Sequence, residues 1–138
     1  MPNSITPKLK EFASRLLAFE AASAKAAHIE DSAAFRVCEK LRYPLCKLAG
    51  TQGFRSLLTR ANALAGAQVP WLRALQITAD GSFAGFETLQ PRPDRKALDL
   101  GETVLIAHVL ELLVTFIGPA LTLVLLRDIW PETDDLNL

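Results

Sequence analysis

His108 and Glu111 are the residues of this chain best placed to do chemistry. Spaced i, i+3, they share one face of a helix. An imidazole and a carboxylate in apolar surroundings shift each other's proton affinity. Such a pair can act as an acid–base couple, as half of a metal site completed by a second copy, or as a pH-sensitive contact. It reads more simply as a structural histidine satisfied by a carboxylate, and a single H-x-x-E is a weak motif. Thr115 follows one turn later, and Gly118 and Thr122 continue the same stripe at helical spacing. The expectation is a helix apolar on most sides that shows water this narrow polar stripe.

No string in the chain matches a phosphate-binding loop, a dinucleotide fingerprint, H-E-x-x-H, G-x-S-x-G, C-x-x-C or an EF-hand loop. The other histidine is His28, and two histidines are too few for a common zinc site. No catalytic, cofactor-binding or metal-ligating residue is therefore assigned, no cofactor is expected, and the reading leans away from an enzyme. Cys38 and Cys46 stand eight residues apart, about 12 Å along a helix axis, too far for a bond within it. Both read as reduced, small apolar side chains.

A second candidate is the basic run Arg36, Lys40, Arg42 and Lys47, with Arg55 and Arg60 beyond it. Clustered cations attract phosphates. Yet the whole chain carries 15 Lys plus Arg and 15 Asp plus Glu, and aromatic residues are not interleaved as stacking platforms. The run reads more simply as a solvated face, or as a face that meets the acidic half. Residues 1–60 hold ten basic and five acidic residues, residues 61–138 five and ten, so the two halves carry opposite charge. Trp71 and Trp130 read first as core anchors, with an interface as the second role.

The elements that must position these residues follow from periodicity. Thr6 and Pro7 suit a helix start, and Leu9, Phe12, Ala13, Leu16 and Phe19 give it an apolar face, with the helix running to about Ala27. Asp31 or Ser32 caps a second helix, which Pro44 should kink near Tyr43 and Gly50 should end. A third spans Thr51 to Gly66 on the stripe of Phe54, Leu57, Leu58, Ala61, Leu64 and Ala65. Pro70 to Leu75 can form a short helix, and 75–86 reads as a β-hairpin turning at Asp80-Gly81, where both residues tolerate positive φ. Residues 91–101 look like an exposed loop, 102–117 a helix, Gly118-Pro119 a break, and the helix after it runs to about Ile129, leaving 132–138 as a frayed tail. The fold class is all-α: one domain over 1–138, a bundle of about five helices with a small hairpin. Leu57, Leu58, Leu105, Val109, Leu112 and Phe116 should meet in its core.

Val104 to Leu126 is 23 residues long, enough for a membrane span. Glu111 inside it would cost about 2.5–3.5 kcal/mol at the bilayer centre, and the flanking charges do not favour insertion. A soluble helix buried on most sides explains the stretch better, and membrane insertion of 104–126 is the second choice. No basic stretch followed by an apolar run opens the chain, so the cytoplasm is the expected location.

The closing strings Phe116-Ile117-Gly118-Pro119-Ala120-Leu121-Thr122-Leu123 and Leu126-Arg127-Asp128-Ile129-Trp130-Pro131 resemble the ends of small helical bacterial proteins. So do Phe35-Arg36-Val37-Cys38-Glu39-Lys40-Leu41-Arg42 and Gly53-Phe54-Arg55-Ser56-Leu57-Leu58. That family has no known function, so the resemblance implies a soluble bacterial protein and no activity, ligand or partner.

The function expected on these grounds is a non-enzymatic interaction or regulatory module that associates with itself or another protein. Phe116, Leu121, Leu123 and Trp130 are its candidate interface, and His108, Glu111 and Thr115 its candidate polar site. A ligand-binding protein or enzyme using His108 and Glu111 in a bundle cavity is the further alternative. Nucleic acid is not an expected partner. At physiological salt, fluorescence anisotropy with DNA or RNA should show no submicromolar complex. A tight complex lost on replacing Arg36 and Lys40 would contradict this reading.

Overall fold

The computed structural model describes residues 5–23 and 32–138. Four α-helices form a mostly helical bundle among them, α1 (Pro7–Ser23), α2 (Ala33–Gly66), α3 (Arg95–Ile117) and α4 (Pro119–Ile129). Residues 24–31, which include His28, Asp31 and the expected end of the first helix, lie outside the described residues.

The start of α1 follows its local chemistry. The Thr6 hydroxyl accepts from the Leu9 amide at 3.1 Å, and Pro7 takes a first-turn position. Leu9, Phe12, Ala13, Leu16 and Leu17 are buried. At α2, Ser32 is the cap, its hydroxyl accepting from the Ala34 amide at 3.1 Å. The same hydroxyl donates to the Glu102 carboxylate, which also accepts from the Ala34 amide at 3.3 Å. An acid of α3 thus sits at the positive end of α2.

The second and third expected helices run on as one element of 34 residues, which brings the count from about five to four, but they meet in a kink at Gly50, where the sequence placed their boundary. Pro44 lies inside it without ending it. Its lost amide costs one hydrogen bond, whereas the actual departure from helical geometry is at Gly50, with φ 78° and ψ 167°. Only glycine reaches that conformation cheaply. Helical structure resumes at once at Thr51, and α2 is a rod bent at Gly50.

A short 3₁₀ turn, Pro70–Ala74, leads to two two-residue strands, β1 (Gln76–Ile77) and β2 (Phe83–Ala84), paired antiparallel. The hairpin lies where expected, but its turn differs. Gly81 alone has positive φ, and its amide donates to the Thr78 carbonyl at 3.0 Å. Such a small hairpin needs support. Phe35 of α2 stacks on Phe83 with ring centroids 4.8 Å apart. The Arg42 guanidinium lies 5.2 Å from the Phe54 ring and donates to the Gly81 carbonyl at 3.3 Å and the Ser82 hydroxyl at 2.8 Å.

α3 begins at Arg95, so residues 95–101 of the expected loop over 91–101 are helical and only 91–94 precede the helix. Asp94 caps it by accepting from the Ala97 amide at 2.8 Å. Trp71 then donates its indole N–H to the Ala97 carbonyl at 3.0 Å and lies flat on Gly101, where a Cβ would meet the ring at 2.5 Å. Gly118, φ 86°, separates α3 from α4 as expected. Residues 132–138 do not trail away. Thr133 is buried and donates to the Trp130 carbonyl at 2.8 Å, and Arg127 donates to the Leu136 carbonyl at 2.8 Å.

α3 packs against α1, α2 and α4. Every residue from Val104 to Leu110 is buried. Of the six expected core residues, Leu58, Leu105 and Val109 are buried, Leu57 and Leu112 are half-buried, and Phe116 is 60% exposed.

One carboxylate closes the bundle. Glu20, on the apolar face of α1, is only 2% exposed. It accepts from the Trp130 indole N–H at 2.8 Å, and pairs with Lys40 at 2.5 Å and Arg36 at 3.5 Å. The cluster joins α1, α2 and the end of α4. Glu20→Ala removes its central acceptor while Lys40 and Arg36 keep some access to water. The unfolding free energy in urea should fall by roughly 2–3 kcal/mol, below the usual range for a fully buried pair. Lys8→Ala, at an exposed position, should change it by less than about 0.5 kcal/mol.

Candidate functional site

The polar stripe on α3 and α4 does not face water as a unit. His108 is 3% exposed, Thr122 is fully buried, Glu111 is half-buried, and Thr115 alone is exposed. The buried Thr122 hydroxyl donates to the Gly118 carbonyl at 2.7 Å, and the exposed Thr115 hydroxyl donates to the Glu111 carbonyl at 3.0 Å, so both return their donors to the helix. The stripe is divided between the bundle interior and the surface because α1 and α2 cover α3 through Leu110 and less beyond it.

His108 Nδ1 lies 3.6 Å from Glu111 Oε1, too long for a hydrogen bond, and neither ring nitrogen has a hydrogen-bond partner among the described residues. Burial pushes the His108 pKa below its ordinary value, and Glu111 opposes that shift only in part. The histidine is held neutral in a site that suits the uncharged ring. No group of three or more metal-ligating side chains gathers among the described residues.

The basic run is dispersed. Arg36 and Lys40 both serve Glu20. Arg42 pairs with Glu39 at 2.7 Å and clamps the hairpin, while Lys47 lies 4.9 Å from the Tyr43 ring. Arg55 donates to the Thr78 carbonyl at 3.0 Å. Nor do the oppositely charged halves meet through ion pairs. Each ion pair among the described residues joins two residues of the same half. Cys38 is buried with its thiol pushed up to about 12, mainly by desolvation, and Cys46 is half-buried, both free.

The candidate interface residues separate as well. Trp130 is 3% exposed and belongs to the Glu20 cluster, so it is a core residue and not an interface residue. Leu123 is half-buried against the core. Phe116, at 60%, and Leu121, at 46%, are exposed, and Val124 joins them at 64%. At Phe116 a groove of about 530 Å³ opens between the second half of α2 and the end of α3. Ala49 and Gly53 line it together with Leu45, Leu57, Leu112 and Phe116.

No family model, curated protein or solved structure matches this chain.

Sequence reasoning passed over Glu20, Val124 and the groove. The signal for Glu20 was its place four residues after Leu16 and eight after Phe12, on the buried face of α1. For the groove it was Leu45, Ala49, Gly53 and Leu57, one residue in four with two small ones in the middle.

Two buried groups, Glu20 and His108, couple folding to protonation. For Glu20, desolvation raises the pKa, but hydrogen bonds from Lys40 and Trp130 and the charges of Lys40 and Arg36 outweigh it, leaving the carboxyl below its ordinary 4.5. His108 lies below its ordinary 6.5. Each holds fewer protons folded than unfolded within its window, so each contributes stability that is complete above the ordinary value and lost as pH falls toward the folded one. Stability should therefore decline from pH 6.5 downward through His108, and decline again below 4.5 through Glu20. In urea titrations across pH, His108→Leu should abolish the first decline and keep the second. An unchanged first decline would remove His108 from this account.

Proposed function

We propose that this chain is a non-enzymatic helical interaction module of the cytoplasm that associates with a second copy through the end of α3 and through α4. The observation that carries the reading is the exposure of three large apolar side chains, Phe116 at the end of α3 and Leu121 and Val124 on α4. Half-buried Ile117 and Leu125 lie next to these residues in sequence, and half-buried Leu123 lies between Leu121 and Val124. Contiguous exposed apolar surface marks an interaction site, and a two-fold pairing covers it with one set of contacts. α4 alternates buried Thr122 and Leu126 with exposed Leu121 and Val124, so it is anchored on one side and offers the other.

Two other readings rest on specific observations. Arg95–Ile117 is long and apolar enough to cross a membrane, although just over half of its most apolar stretch is buried within the bundle. A ligand or acid–base site at His108 and Glu111 draws support from the unpartnered ring nitrogens. Self-association uses residues already at the surface and requires no opening of the fold.

Analytical ultracentrifugation without detergent should show a dimer that dissociates on dilution. Val124→Glu, at an exposed position, should yield a monomer with an unchanged circular dichroism spectrum. A wild-type chain that sediments as a folded monomer at every concentration would refute the reading. Sedimentation only with added detergent or vesicles would favour the membrane instead.

A further inference from the structure

We infer that the groove between α2 and α3 binds a single-chain anionic amphiphile, a straight-chain carboxylate whose tail lies along α2 and whose head meets Arg60. Phe116 is shared with the proposed dimer surface, so the test is made on a chain that does not dimerise.

The shape comes from the sequence. Leu45, Ala49, Gly53 and Leu57 recur every fourth residue on one side of α2, and all four line the groove. The middle two are small, so they form a low floor between taller leucines. Gly53 must stay bare, because a Cβ there would stand 2.6 Å from the Ala49 Cβ. The bend at Gly50 brings these two residues that close. Leu112 and Phe116 of α3 form the opposite wall. From Leu45 to Arg60 the groove follows fifteen residues of α2, roughly 22 Å if the helix were straight and less with the bend. The volume of about 530 Å³ falls within the range of small-molecule sites. A long, narrow, apolar trough suits a flexible chain better than a compact ring system.

Charge identifies the head group. Arg60 is the single charged residue lining this groove, and it forms no hydrogen bond or ion pair among the described residues. Arg36, Lys40, Arg42 and Arg55 are all engaged within the fold. Its planar guanidinium is suited to a carboxylate, which it can meet through two parallel hydrogen bonds. Ser56 and Thr115, both exposed, supply hydroxyls at the rim. An apolar trough with one free cation at its margin matches a molecule with an apolar tail and one negative charge.

The experiment is isothermal titration calorimetry on the Val124→Glu chain, which separates this inference from dimer formation. The probes are decanoate, dodecanoate and dodecanol, each below its micellar concentration. One site should appear, and dodecanoate should bind about fifteenfold more tightly than decanoate, about fourfold per methylene. Arg60→Gln should weaken dodecanoate by about fivefold and leave dodecanol unchanged. Ser56→Trp and Thr115→Trp, two exposed rim positions that should preserve the fold, should each block both ligands. The inference is overturned by absence of binding, by equal binding in the blocked variants, or by binding only to micelles or vesicles, which would mean a lipid surface. It also fails if no carboxylate binds while Ser56→Trp alone dissociates the wild-type dimer, since the groove would then hold a second copy.

Discussion

The structure depends on enclosing α3. From Val104 to Leu110 seven consecutive residues are buried, nearly two full helical turns with no side open to water. A helix apolar around its whole circumference needs neighbours on every side. α1 and α2 supply the main faces, and α4 folds back after Gly118 to add another. The enclosure does not extend to the end. Beyond Leu113, Thr115 and Phe116 are exposed, and the groove opens between this last stretch and α2. The exposure of Phe116 and the trough share one origin: α3 is longer than the cover its own chain provides.

Glu20 holds that cover in place. A carboxylate in the interior is costly unless its oxygens are satisfied. Here Trp130, Lys40 and Arg36 satisfy it, and they come from the end of α4 and the first half of α2. α1, α2 and the C-terminal end of α4 must be in register for the cluster to form. The arrangement also accounts for the basic run. Two of its cations balance a buried acid and a third clamps the hairpin.

The all-α class, the hairpin near 75–86 and the break at Gly118 were legible because each rests on local chemistry: apolar spacing, a glycine at a turn, a glycine–proline pair. What was not legible depended on partners distant in sequence. α3 starts at Arg95 because Asp94 caps it and Trp71 packs on Gly101. Pro44 keeps helical geometry within α2, whereas the boundary at Gly50 lies where the sequence placed it. The stripe from His108 to Thr122 was read as one surface because spacing reports the face of a helix and not what covers it. Trp130 read first as a core anchor and is one, but its acceptor, Glu20, stands 110 residues away and was not foreseen. Phe116 read as core, since nothing in its spacing shows that the covering helices stop short.

The proposed second copy would cover the exposed apolar side chains at the end of α3 and on α4. Hydrogen exchange followed by mass spectrometry at several protein concentrations tests it within the folded chain. Amides of residues 114–126 should gain protection as concentration rises, while those of 104–110, already enclosed, should not change. Protection over 114–126 that is the same at every concentration would contradict the account.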